Sequence, residues 1–308
     1  GLLRNPYCYR DPHTVGMMEE YFKQVPKEHV YDLTGIQFMN FNSLFQLDTI
    51  KRNGGQALEH ADKILFIPDA LIYMLTGKAI CEYTVASTSQ MLNPMTGDLD
   101  AEILETLGIP REKFGVMTQP GTVVGTLTEQ VQEATGLGAV PVIAVAGHDT
   151  GSAVAAVPAK DKEYAYLSCG TWSLLGIESE TAIITEDSFR ENFTNEGGAW
   201  YRYRYLSNIM GLWMIQSVRN ELAAQGVKLS FSELCELAEE AQLDSTADCN
   251  DDRFLAPESM IQEIRNACLE SNQTAPETPG ELARVVYRSL AVCYEKAVSQ
   301  LRQSHGKD

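Results

Sequence analysis

The sequence has 308 residues, 44% of them hydrophobic, which suits one large or two medium domains because single cores rarely grow past roughly 250 residues. Its 24 Lys and Arg against 42 Asp and Glu give a net charge of −18, which repels phosphate backbones and anionic lipid surfaces and argues against nucleic-acid and membrane partners. No apolar stretch approaches the ~20 residues of a membrane span, and the start, Gly1-Leu2-Leu3-Arg4, has neither an initiator methionine nor an apolar leader, so the expectation is a piece of a longer chain.

Seven cysteines, Cys8, Cys81, Cys169, Cys235, Cys249, Cys268 and Cys293, make an odd count with no CxxC pair. That usage points to a reducing, cytoplasmic compartment rather than to zinc. Cys249 and Cys268 are the one pair that could bridge, across an acidic loop.

In chain order, apolar periodicity predicts helices over 15–24 and 42–52, the second stopped by Asn53-Gly54-Gly55. Residues 64–75 predict a helix with Thr76-Gly77 at its C-cap. A small, hydroxyl-rich stretch at 86–90 precedes the turn chemistry of Asn93-Pro94 and Thr96-Gly97-Asp98. A short helix over 102–107 closes at Gly108, 120–127 reads as a Gly-bounded strand pair, and a helix over 128–135 stops at Gly136. Residues 140–146 read as a buried strand because Val and Ile dominate until Gly147. Helices interleaved with apolar strands indicate an α/β architecture.

Pro158-Ala159-Lys160-Asp161-Lys162 breaks the pattern and is the predicted domain boundary or hinge. Beyond it, 163–167 and 172–177 form a strand–turn–strand unit and 200–206 an aromatic strand. The remainder predicts helices over 208–224, 231–242, 259–271 and 280–302.

Three polar groups stand on this apolar scaffold. In Gly147-His148-Asp149-Thr150-Gly151 a strand ends and a small-residue helix begins, the place where α/β sheets present ligand crevices. A carboxylate there could take a proton from a substrate hydroxyl, with His148 and Thr150 hydrogen-bonding nearby. Asp149 reads equally as the N-cap of the following helix, and one His and one Asp lack the further ligands a metal needs.

The second group, Ser168-Cys169-Gly170-Thr171-Trp172-Ser173, offers backbone N–H groups and hydroxyls able to hold phosphate oxygens without a Walker lysine. A plain hairpin turn fits it as well, and Cys169 lacks a nearby base to serve as a nucleophile. The third group is Ser207-Asn208-Ile209-Met210-Gly211-Leu212-Trp213-Met214-Ile215-Gln216, read as a helix capped by Ser207 or Asn208. On it Asn208 and Gln216 fall about two turns apart on one side. They could read a nucleotide, or serve as a cap and an ordinary surface amide.

Taken together, these segments resemble the FGGY carbohydrate kinases, and more closely the branch that acts on L-rhamnulose. Carrying the likeness, from about Asn5 to about residue 302, are Tyr9-Arg10-Asp11, Phe66-Ile67-Pro68-Asp69, Leu75-Thr76-Gly77, Glu82-Tyr83-Thr84, the GHDT turn, SCGTWSLLGIE and NIMGLWMIQ. The resemblance implies an actin-like ATPase fold of two ribonuclease-H-like domains with a cleft between them. Residues 1–157 would belong to the sugar-binding domain, 158–162 to the hinge and 163–308 to the nucleotide-binding domain.

By the same resemblance Asp149 is the general base, and His148, Asp149 and Thr150 bind the sugar. Gly170 and Thr171 contact ATP phosphate, and Asn208 and Gln216 contact the nucleotide. The implied reaction uses ATP and Mg²⁺ to phosphorylate the C1 hydroxyl of L-rhamnulose, and its partners are a small-molecule sugar and a nucleotide. Another ketose such as L-fuculose, a non-catalytic fragment that binds sugar or nucleotide, and a metal-dependent hydrolase using His148 and Asp149 are the alternatives. The family's upstream Gly-rich hairpin with its Mg²⁺-placing Asp and its downstream Gly-Gly-Gly motif do not occur here. The expectation is therefore a central fragment, its fold incomplete at both ends, with sheet edges and apolar helix faces open unless other segments cover them.

Overall fold

A computed structural model describes residues 2–305. Two units emerge from the packing: Gly1–Tyr164 with Ile177–Leu206, and Ala165–Gly176 with Ser207–Asp308. The chain passes between them at 164/165, 176/177 and 206/207, three crossings where the sequence showed a single break at 158–162.

The first unit is built on an aromatic core. Helices Met17–Phe22, Lys27–Thr34, Ser43–Arg52 and Ala101–Leu107 each turn one apolar face inward, burying Tyr21, Tyr31, Leu44, Phe45, Ile103 and Leu107. Tyr21 and Phe22 both meet the Phe45 ring edge-on, the geometry aromatic quadrupoles favour. Residues 192–195 are stitched to the second of these helices and the loop after it. The Tyr31 hydroxyl donates to Phe193 O at 2.8 Å, Asn195 N–H to Gly35 O at 2.8 Å, and Phe38 N–H to Asn192 Oδ1 at 2.9 Å.

Strands are short in this unit. Ile80–Glu82 runs parallel to Val116–Thr118, Val123–Thr126 pairs antiparallel with Pro141–Ile143, and Thr194–Gly197 pairs antiparallel with residues 203–206. Two expectations fail here. Residues 120–127 supply one strand rather than a pair, and 140–146 is not a buried strand: Ile143 is 50% and Val145 62% exposed. A strand whose only ladder partner among the described residues is one bulged neighbour is covered on too few sides to bury both faces. The apolar helix Ile67–Thr76 likewise leaves Ile67, Leu71 and Met74 exposed.

In the second unit Ala165–Cys169 and the start of Ser173–Ser179 form the predicted strand–turn–strand. Four helices follow, Trp213–Ala224, Phe231–Glu240, Met260–Glu270 and Pro279–His305. The last packs most heavily on Phe231–Glu240, burying Leu234, Ala238, Leu282, Val285 and Val286. A reciprocal capping box, Ser230 with Glu233, fixes where Phe231–Glu240 begins. All seven cysteines are free, so Cys249 and Cys268 do not pair. No helix among the described residues is long and apolar enough to cross a membrane.

Candidate functional site

The GHDT turn lies in the first unit, where the strand Pro141–Ile143 gives way to the helix Asp149–Ala155. Its backbone is held from outside. Gly147 N–H donates to Glu82 Oε2 at 3.0 Å, and His148 N–H to Thr84 Oγ1 at 3.2 Å. The same Glu82 carboxylate caps the helix Tyr83–Ser87 by accepting from Thr84 N–H at 2.9 Å and Val85 N–H at 3.0 Å, and it takes the Thr84 hydroxyl at 2.6 Å. One buried carboxylate thus ties a helix start and the turn together, with several donors to offset its desolvation. Glycine is required at 147 because a Cβ there would meet Glu82 Oε2 at 2.9 Å and Pro68 Cβ at 3.3 Å.

Beneath Glu82 lies Asp69, whose two oxygens each stand 3.2 Å from the Glu82 N–H. Asp69 is fully buried, and burial pushes its carboxyl up to about 7; the Glu82 N–H opposes the rise and the Glu82 charge adds to it.

Asp149 is not the N-cap. His148 holds that position with extended backbone and no side-chain cap, and Asp149 opens the helix. With the turn already pinned through 147 and 148, Asp149 is left standing outward. Its side chain is 97% exposed, Oδ1 accepts from Thr150 N–H at 2.7 Å, and Oδ2 has no partner among the described residues. Thr150 is buried, its hydroxyl 3.4 Å from Asp149 Oδ1. His148 Nε2 lies 3.6 Å from Asp149 Oδ1, while its Nδ1 faces Arg204 and Glu196.

Gly170 and Thr171 lie at the exposed tip of the hairpin in the second unit. Gly170 N–H donates to Trp172 O at 2.9 Å, and the turn's carbonyls receive Leu212 N–H at 2.9 Å and Trp213 N–H at 3.2 Å. The Thr171 hydroxyl makes no hydrogen bond among the described residues. Gly211 permits this docking: at φ +66°, a Cβ on it would sit 2.6 Å from Ser173 N and Trp172 C. From below, the hairpin is held by Tyr294, whose hydroxyl is 2.7 Å from Ser173 Oγ and 3.8 Å from Cys169 Sγ.

Asn208 and Gln216 do not share a helix. Asn208 belongs to the strand Tyr203–Ile209 and Gln216 to the first turn of Trp213–Ala224. The left-handed Gly211 ends the strand run and delays the helix to Trp213. Among the described residues no group of three or more His, Cys, Asp or Glu side chains could hold a metal ion.

Four residues of the first site escaped the sequence reading as functional candidates: Asp69, Glu82, Glu196 and Arg204. Asp69 and Glu82 stand in segments that carry the family resemblance, and Arg204 left the signal of an arginine inside an aromatic strand, where burial demands a partner.

The N-terminal domain model of the FGGY family of carbohydrate kinases matches residues 2–156, and the C-terminal domain model matches residues 165–308. The chain belongs to the FGGY family of carbohydrate kinases. Among curated relatives of this FGGY chain, the rhamnulokinase of Bacteroides thetaiotaomicron is 51% identical over 98% of the chain and 61% of its own length. The rhamnulokinase of Oceanobacillus iheyensis is 45% identical over 99% of the chain and 64% of its own length. The chain thus spans about three fifths of the relatives it matches.

Solved structures agree on the fold. A ligand-bound xylulose kinase from Lactobacillus acidophilus superposes with TM-score 0.74 at 18% identity, over 98% of this chain and 60% of that one. A Plasmodium falciparum glycerol kinase with ADP gives 0.74 at 15% identity, over 99% and 61%. The fold is the α/β, actin-like ATPase fold of these sugar kinases.

Proposed function

We propose that this chain carries the general base and part of the phosphate grip of an ATP-dependent kinase that phosphorylates the C1 hydroxyl of L-rhamnulose. The observation that carries the reading is the state of Asp149. Its Oδ1 accepts from the Thr150 N–H and its Oδ2 is open, so it can accept a hydroxyl proton without surrendering a structural bond.

Phosphoryl transfer asks for positioning and charge neutralisation more than for covalent chemistry. Asp149 takes the proton as the C1 oxygen attacks the γ-phosphorus and the bond to the β-bridging oxygen breaks, with ADP leaving. His148 and Thr150 flank it and orient sugar hydroxyls. In the second unit Gly170 and Thr171 offer backbone and hydroxyl donors to phosphate oxygens, and Asn208 and Gln216 offer amides to the nucleotide. Residues 158–162 lead from the sugar-side stretch 1–157 toward the nucleotide-side unit of 165–176 and 207–308, while 177–206 returns to the sugar side.

Mg²⁺ takes one or two carboxylates plus substrate phosphates rather than a protein cage. Bound with the nucleotide, the ion would neutralise phosphate charge. The name borne by the relatives supports L-rhamnulose as the ketose.

The test is a coupled ADP-release assay over a ketose panel, on the protein expressed from its complete reading frame. L-rhamnulose turnover with Mg-ATP is expected, falling by roughly 10²–10⁴-fold in Asp149→Asn. Near-parent turnover in that variant overturns the base assignment, and preference for L-fuculose moves the substrate.

A further inference from the structure

Arg204 has the largest fully buried side chain among the described residues, at 0% exposure, and the phosphoryl-transfer step requires no charge there. It lies on the strand opposite Glu196 and spends all its reach within the first unit. Nε and Nη2 donate to Gly197 O at 3.2 and 3.0 Å, Nη1 is paired with Glu196 Oε2 at 3.1 Å, and Nη2 lies 2.9 Å from His148 Nδ1. Gly151, in the first turns of the helix carrying Asp149, leaves room above the guanidinium: a Cβ there would be 3.7 Å from Arg204 Cζ.

We infer that Arg204 is a positioning residue for the sugar turn, acting through His148 by deciding which ring nitrogen carries the proton. A guanidinium has donors only and does not deprotonate in proteins. At 2.9 Å from Nη2, the Nδ1 of His148 must therefore accept. The proton of the neutral ring is then on Nε2, which has no hydrogen-bond partner among the described residues and stands on the Asp149 side, 3.6 Å from Oδ1.

The turn is thereby given a fixed N–H donor beside its base. Glu196 supplies the competing demand. Its Oε2 is 3.2 Å from the same Nδ1 and would draw the proton there if the guanidinium did not already occupy it. Remove Arg204, and the ring turns its accepting nitrogen toward the place where the sugar hydroxyl must be held. The step from tautomer to sugar rests on the kinase reading above.

Two measurements on the protein expressed from its complete reading frame test this. In a long-range ¹H–¹⁵N spectrum recorded near pH 8, above the ordinary imidazole range, His148 is assigned by its loss in His148→Ala. The parent should show a pyridine-like Nδ1 and a pyrrole-like Nε2, and Arg204→Met should exchange them. A pyrrole-like Nδ1 in the parent overturns the inference whether or not an Arg204 variant folds.

Kinetically, Arg204→Met should raise the KM for the ketose by 10-fold or more in the parent background, and by less than about 3-fold in His148→Ala. The KM for ATP should stay unchanged in both. Equal losses in the two backgrounds mean a merely structural arginine and overturn the role. Should removal of the charge leave Glu196 too costly to bury, Arg204→Met with Glu196→Gln discharges both partners and is read in the same way. If no ketose is turned over by the parent, the kinase reading fails while the spectrum still decides the tautomer.

Discussion

Asp69→Asn offers a direct check on the buried carboxylates beneath the GHDT turn. Asp69 is fully buried and holds its proton up to about 7, against an ordinary value of 3.8. In the unfolded chain it ionises near the ordinary value, so between about pH 4 and 7 the unfolded state sheds a proton that the folded state keeps. The proton-linked stability is fully present below about pH 4, falls as pH rises through that window, and levels off above about 7. At 1.36 kcal/mol per tenfold change in proton affinity, the total is on the order of 4 kcal/mol.

Asparagine keeps an oxygen for the Glu82 N–H and does not titrate. Asp69→Asn should therefore match or slightly trail the parent near pH 4.5 and exceed it by a few kcal/mol near pH 8, in urea unfolding at a series of pH values. Taking the parent–variant difference at each pH cancels the opposite slopes of carboxylates such as Glu233 and Glu281, which backbone N–H groups hold below their ordinary range. A difference that stays flat from pH 4.5 to 8 would refute the burial argument.

Gly147→Ala forces a methyl against Glu82 Oε2 and Pro68. It should cost about 1–3 kcal/mol and lower sugar turnover at least 10-fold; thermal melting and the coupled assay check it, and a variant unchanged in both removes the constraint. Gly211→Ala meets both a left-handed backbone and a clash with the Trp172–Ser173 backbone. A loss of about 2 kcal/mol or more and a raised KM for ATP, with the ketose KM unchanged, are expected from calorimetry and steady-state kinetics. The reverse pattern of KM values would detach the hairpin from nucleotide binding.

What the sequence displayed well was local chemistry. Gly77, Gly108 and Gly136 stop helices where they were expected to, though Thr128, read as the first residue of its helix, is the cap ahead of Glu129. Strands were read less well because their burial depends on neighbours rather than on their own residues. The Val and Ile of 140–146 promised a core strand, yet exposure follows the number of covering layers. Ser207-Asn208 resembled a helix cap, and the strand Tyr203–Ile209 ran through it because Leu206 and Ile209 are buried in a sheet that no local pattern announces.

The same division holds at the site. The turn itself, with Asp149 and its two neighbours, was visible as a short motif. The residues that hold it were not, since Glu82 reaches Gly147 across 65 positions and Arg204 reaches His148 across 56. Glu82 also caps its helix where Ser, Thr, Asp or Asn would have been the recognisable choice.

The three crossings between units set an order for synthesis. As the chain leaves a ribosome at about 5–20 residues per second, the first unit cannot be completed when Tyr164 emerges. Its Phe193 and Asn195 partners for Tyr31 and Gly35, and the Arg204–Glu196 strand pair, are still to be made. For some seconds Tyr31 lacks its acceptor and His148 lacks its guanidinium, while Ala165–Gly176 of the other unit has already been delivered. The two units are therefore interleaved in time as well as in sequence, and the GHDT turn acquires its guanidinium only when residue 204 arrives.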